Sequence, residues 1–258
     1  MPRFKLTLEY VGTRYRGWQV QKNARTVAGE LQRAVRAAAG CSPGEPYGSG
    51  RTDAGVHALQ QVAHVDLETR MPPGQLQWRI NEELPPDINV LALEPAARRF
   101  HARHAAVARS YLYQISRRRT ALGKPFVWWV KDALDAAAMA RAARRFEGMH
   151  DFQSFTDQDP EEGSTRVAVR SVDVREDGAL ILVRILGSHF LWKMVRRMVG
   201  VLAEVGRGAL GDDDVAALLG APSDAVAPLT APPSGLFLER VLYEGDPPPG
   251  PLRPVLTL

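Results

Sequence analysis

The chain is organised around Gly48-Ser49-Gly50-Arg51-Thr52-Asp53-Ala54-Gly55-Val56-His57-Ala58. Three glycines in eight positions free the backbone for positive φ or for close passage past another group. Arg51 and Asp53 stand two apart, which on an extended segment puts both side chains on one face. Residues 61–67 read as a strand, so a guanidinium and a carboxylate sit on a glycine-rich loop that feeds a strand. Two readings fit: an exposed, oriented carboxylate, or a tight turn closed by an Asp–Arg ion pair. A P-loop is excluded because no Gly-Lys-Ser/Thr ends the glycines, and a dinucleotide fingerprint because no helix follows them. Metal binding has little support, since His57 has no second ligand at helical i+4 spacing.

Working outward toward the N-terminus, Phe4, Leu6, Leu8 and Tyr10 alternate with Lys5, Thr7 and Glu9, the pattern of a half-buried strand. Residues 12–19 form a basic, aromatic loop, and Thr26 caps a helix carrying Leu31, Val35 and Ala38 that Gly40 stops. Toward the C-terminus a helix is predicted over residues 74–84, ending at Pro85-Pro86, and a strand over 88–93. The second half repeats the rhythm. Strands are predicted at 110–115 and 125–131, an Ala-rich helix over 132–146 ended by Gly148, and strands at 167–174 and 179–186 around the hairpin signal Glu176-Asp177-Gly178. A helical apolar stripe runs over 188–205 and a last strand over 236–243. Residues 156–166, charged and containing Gly and Ser, read as a mobile loop.

The pattern predicts two successive α+β units with largely antiparallel sheets. The division falls near residues 98–108: an N-terminal domain 1–103 carrying the Asp53 loop, a C-terminal domain 104–245, and a Pro-rich tail 246–258.

At 258 residues the chain buries a real core. Cys41 stands alone, which leaves no disulfide framework and no thiolate metal cluster. The opening residues alternate charged and apolar side chains, unlike a signal peptide, and no apolar run approaches the roughly 20 residues of a membrane span. These features read as a soluble, cytoplasmic protein. Net charge is +4, and 28 of the 33 basic side chains are Arg, whose planar fork suits phosphates and stacking on bases. A GC-rich or thermophilic genome also raises Arg and Ala.

Tyr111 and Tyr113 share one side of a strand, after Arg98, Arg99, Arg103 and Arg109 and before Arg117, Arg118 and Arg119. Aromatics set among basic residues suit an unpaired base in an electrostatic groove, although the residues alone favour cross-strand packing of both tyrosines. Arg196 and Arg197 lie within the apolar stripe, with Arg196 at its edge.

The eleven residues 48–58 resemble the signature of the TruA-type tRNA pseudouridine synthases. Tyr10 to Asn23 resembles that family's opening Tyr-x-Gly-Thr-x-Phe-x-Gly-Trp-Gln-x-Gln-x-Asn, with Tyr15 in place of Phe. Residues 109–113 resemble its Arg-x-Tyr-x-Tyr, and residues 190–196 its Phe-Leu-x-x-Met-Val-Arg. Ala28 replaces a commoner glutamine and Trp192 a commoner tyrosine.

The resemblance implies two ferredoxin-like (RRM-like) α+β halves whose mainly antiparallel sheets meet at a central catalytic cleft. It implies a homodimer that isomerises uridines at positions 38 to 40 of the tRNA anticodon stem-loop without a cofactor. It further implies Asp53 as nucleophile, Arg196 as its pairing cation, Arg51 at the vacated base position and Tyr111 against the target base, with Tyr113 in the core. Two rival readings are a tandem RRM-like RNA-binding protein without catalysis, and an aspartate-dependent nucleoside hydrolase using His57 as general acid.

Overall fold

The protein is described by a computed structural model covering residues 1–159, 161 and 163–258. The chain forms two compact units, Met1–Val107 with Phe237–Pro247, and Ala108–Leu236 with Pro248–Leu258. In chain order the elements are β1 (Arg3–Tyr10), α1 (Val27–Ala39), β2 (Tyr47–Gly48), β3 (His57–Asp66), α2 (Pro73–Glu83) and β4 (Ile88–Ala96). Then follow β5 (Ala106–Ser116), β6 (Trp128–Trp129), α3 (Ala136–Ala143), β7 (Gly148–Asp151), β8 (Arg166–Asp177) and β9 (Leu180–Gly187). The last are α4 (Met194–Gly206), α5 (Asp212–Gly220) and β10 (Leu236–Tyr243).

In the first unit β1 lies between β4 and β3, antiparallel to both. The other edge of β3 takes β2 antiparallel, with Tyr47 opposite His64, and β10 parallel, with Phe237 opposite His57. The predicted alternation of β1 holds: Phe4, Leu6, Leu8 and Tyr10 are buried. The Thr26 hydroxyl accepts from Gly29 N at 3.3 Å, and Gly40 ends α1 at φ 66°. Such a cap contributes about 1 kcal/mol. α1 buries Val27, Leu31, Ala34 and Val35 and packs on α2, which packs on β4. Strand β3 starts at His57, four residues ahead of the predicted 61, where β10 pairs with it.

In the second unit the order is β5-β9-β8-β7, each pair antiparallel, with β6 parallel to the end of β5. The β8–β9 hairpin turns at Gly178, φ 56°, as the Glu-Asp-Gly signal predicts. Strand pairing within each unit is mainly antiparallel and the fold is α+β.

Three elements depart from the sequence reading. The strand predicted at 125–131 shrinks to Trp128–Trp129 after a 3-10 turn at Lys124–Phe126. The Ala-rich helix starts only at Ala136, where the Asp135 carboxylate accepts from Ala138 N at 2.9 Å, and beyond Ala143 it continues as a 3-10 turn over Arg144–Phe146. Gly148, at φ 106°, follows the Glu147 cap of that turn and opens β7. The apolar stripe from 188 becomes helical only at Met194, since Lys193 takes the left-handed conformation at φ 63°. Helix α5 had no sequence reading, although three aspartates in its first turn suit the positive end of the helix dipole.

Within the predicted 156–166 loop, residues 160 and 162 lie outside the described residues. The Thr156 hydroxyl donates to Trp192 O at 3.0 Å and that of Thr165 to Asp151 Oδ1 at 2.6 Å. Among the described residues no helix is long and apolar enough to cross a membrane.

Candidate active site

The Asp53 loop is held mainly by its backbone. Trp18 N donates to Thr52 O at 3.0 Å, Gly55 N to Tyr15 O at 3.3 Å, and Val56 N to Asp53 O at 3.1 Å. Gly17, at φ 94°, lies so close under the loop that a Cβ there would come within 2.6 Å of Thr52 O. Gly55 adopts φ 80° at the turn. Arg51 is exposed, Thr52 buried and Asp53 half-buried, the alternation of an extended segment. The carboxylate therefore sits on a segment whose backbone is fixed on both sides of it.

His57 is a packing residue. It is 1% exposed, its Nδ1 accepts from Gly12 N at 3.1 Å, and its ring stacks on Phe237 with centroids 4.8 Å apart. A ring locked in this way is poorly placed to deliver a proton to a reacting atom, which weighs against the hydrolase reading.

Tyr111 and Arg196 are carried by the second unit, whereas Arg51 and Asp53 are carried by the first. Tyr111 lies on β5 opposite Ile185 and meets Phe190 edge-to-face, centroids 5.1 Å apart. Tyr113 is fully buried and its hydroxyl donates to Pro232 O at 2.7 Å, so it belongs to the core. Burial pushes the Tyr113 phenol well above its usual range, and the Arg196 charge works in the opposite direction.

Arg196, in the first turn of α4, is held through both side chain and backbone. Its Nε donates to Ala231 O at 2.7 Å, and its own carbonyl accepts from Ala231 N at 3.1 Å. The neighbouring Arg197 is 3% exposed and ion-paired with Asp157, which also takes Lys193. The Lys193 hydrogen bond holds the Asp157 carboxyl below its usual range, opposed by desolvation and assisted by the Arg197 charge. Sequence reasoning placed both arginines on the apolar stripe without separating these environments. No local signal names Asp157 as a partner, because it lies 40 residues away. Among the described residues no group of three or more His, Cys, Asp or Glu side chains is placed to hold a metal ion.

The sequence model of the tRNA pseudouridine synthase family matches residues 7–104 and 142–244. Asp53 and Arg51 fall in the first matched block and Arg196 in the second, with Tyr111 between them in the chain. The protein named tRNA pseudouridine synthase A from Rhodopseudomonas palustris (strain BisA53) is 43% identical over 95% of this chain and all of the relative. Its counterpart from Bradyrhizobium diazoefficiens is 44% identical over 94% of this chain and all of that relative. A crystal structure of a Cbf5–Nop10–Gar1 complex is more distant, with TM-score 0.36 and 11% identity over 78% of this chain and 45% of that one. The chain belongs to the tRNA pseudouridine synthase family. It is accordingly an isomerase that converts uridine to pseudouridine in tRNA.

Proposed function

We propose that the chain modifies uridines 38, 39 and 40 of the tRNA anticodon stem-loop, with Asp53 as nucleophile. The observation that carries this reading is the half-buried Asp53 carboxylate on a backbone-clamped glycine loop, in a chain of this family. The reaction breaks the N1–C1′ bond of uridine, turns the freed base and forms a C5–C1′ bond. It involves neither redox change nor hydrolysis, so no cofactor is called for.

The remaining roles follow from what that chemistry needs. Extruding the target base costs a few kcal/mol. Arg51, exposed at the head of the loop, fills the vacated stack and holds a backbone phosphate. Tyr111 covers the uracil face, and its phenol oxygen takes the proton that leaves C5 as its own hydroxyl proton passes to water. Arg196 supplies the cation that keeps Asp53 ionised, since an adjacent positive charge lowers a carboxylate's pKa.

The ferredoxin-like description of each half belongs to the same proposal. It is supported in the first unit by the β1-α1-β2-β3-α2-β4 order with strands arranged β4-β1-β3-β2. In the second unit it is supported by the β5-β9-β8 arrangement. A homodimer working in the cytoplasm completes the reading.

The test uses anticodon stem-loop RNAs that carry uridine at only one of the three positions, incubated with the protein and with Asp53→Asn. Pseudouridine is then counted by chromatography of the digested RNA. The parent protein modifies each RNA, and Asp53→Asn modifies none while binding RNA nearly as tightly. Turnover by Asp53→Asn well above background overturns the nucleophile. Modification confined to uridines outside these positions overturns the site.

A further inference from the structure

Beneath the Asp53 loop runs a chain of buried polar side chains that the reaction itself does not use. Gln61, on β3, is fully buried. Its Oε1 accepts from Ser49 Oγ at 2.8 Å, and its Nε2 donates to Gly50 O at 3.0 Å and to the Tyr10 hydroxyl at 3.4 Å. Both amide hydrogens are thereby used. The Tyr10 hydroxyl, from β1, is bonded to Thr52 Oγ1 at 2.8 Å. Ser49, Gly50 and Thr52 are three of the four residues immediately preceding Asp53, and each is gripped from below by a side chain of the sheet.

We infer that Gln61, Tyr10 and Thr52 are positioning residues that set the height and direction of the Asp53 carboxylate; this rests on Asp53 being the nucleophile. Four considerations carry it. First, an amide, a phenol and two hydroxyls are costly to bury unless fully bonded, and an apolar trio would pack two strands as well. A satisfied network of this kind instead selects one geometry. Second, burial pushes the Tyr10 phenol far above its ordinary value, so it stays neutral at any working pH and its bond to Thr52 does not titrate away. Third, Thr52 is doubly held, its hydroxyl by Tyr10 and its carbonyl by Trp18 N at 3.0 Å, so residue 52 cannot rotate without breaking one bond or the other. Fourth, displacing a reacting group by about 1 Å costs about 100-fold in rate.

The test compares Thr52→Val, which keeps the shape and loses the hydroxyl, with Thr52→Ser, which keeps the hydroxyl, and with Tyr10→Phe. Steady-state kinetics on stem-loop RNA are read alongside thermal melting. Thr52→Val and Tyr10→Phe each lower kcat about tenfold or more with KM within about twofold, while Thr52→Ser stays within about threefold of the parent. The double variant Tyr10→Phe/Thr52→Val is no slower than the worse single one, because both remove the same hydrogen bond.

Parent-like kcat in both single variants overturns the inference. So does a loss that vanishes once rates are expressed per folded molecule, or a rise in KM alone, which would make these residues RNA contacts. Asp53→Asn is run in parallel. If it is inactive while Thr52→Val and Tyr10→Phe are normal, the positioning role fails and the nucleophile stands. If it is active, the nucleophile itself fails.

Discussion

Replacing Gly12 by alanine tests how rigidly the Asp53 loop is seated. Gly12 N donates to His57 Nδ1, and a Cβ at this position would stand 1.9 Å from Val56 O, 2.6 Å from Val56 C and 3.1 Å from Val56 N. All three atoms are backbone, so no rotamer change relieves the clash. Opening the shortest contact from 1.9 Å to even a tight 3.0 Å requires a shift of about 1.1 Å. Val56 N is itself bonded to Asp53 O, so the shift is passed to the segment that carries the carboxylate.

Overpacking of this kind costs about 1–3 kcal/mol. At about 2–4 °C per kcal/mol for a chain of this size, the melting temperature falls by roughly 2–12 °C. With Asp53 as the proposed nucleophile, a displacement of its carboxylate by about 1 Å lowers kcat about 100-fold. Gly12→Ala and a control, Gly74→Ala, are compared by circular-dichroism melting and by pseudouridine formation on stem-loop RNA. Gly74 has no atom within 4 Å of its would-be Cβ, so its variant keeps the parent's activity and is unchanged or slightly stabilised. Parent-like melting and parent-like kcat in Gly12→Ala would refute the close packing of Gly12 on the Asp53 loop.

Asp157→Ala strands the buried Arg197 guanidinium and costs about 3–5 kcal/mol in urea unfolding, whereas Arg197→Met costs less because Asp157 keeps Lys193; equal losses would contradict the burial asymmetry. Desolvation, with help from the Arg3 and His101 charges, lowers His64 from its ordinary 6.5 to about 4. Between those pH values the unfolded chain binds a proton that the folded ring refuses, so stability falls as pH drops from 6.5 to about 4 and this contribution is flat outside that window. His64→Gln flattens that slope in urea titrations, and an unchanged slope would assign it to other groups. Tyr111→Ala weakens the contact to the extruded base by about 1–3 kcal/mol, and Tyr111→Phe retains the stacking face but loses turnover through the missing hydroxyl; full activity of Tyr111→Ala would remove Tyr111 from the site. Binding of tRNA falls with salt at a log–log slope of about 0.7–0.9 per phosphate contact, and a flat titration would reject phosphate-led binding.

The features legible in the chain were those whose causes lie within a few residues. Thr26 and Gly40 bracket α1 because a cap is made between positions three or four apart. The alternation of Phe4, Leu6, Leu8 and Tyr10 marks β1, and Glu176-Asp177-Gly178 marks the hairpin, because pleat and turn are local geometry. The eleven residues 48–58 carried the family, since their glycines, Arg51 and Asp53 form one continuous loop.

What tertiary structure alone decided involves partners far apart in sequence. Strand β3 begins at His57 and not at 61 because Phe237, 180 residues away, pairs with it. Strand β10 thereby returns Phe237–Pro247 to the first unit, a step that no composition or periodicity announces. Helix α4 waits until Met194 because Lys193 is held left-handed beside Asp157, against an apolar stripe that by itself favours an earlier start. Gln61 reads in sequence as an ordinary polar residue of a half-buried strand. It joins the hydrogen bonds beneath the Asp53 loop only when β1 brings Tyr10 beside it, because a hydrogen bond between strands depends on register, and register is set by the whole sheet.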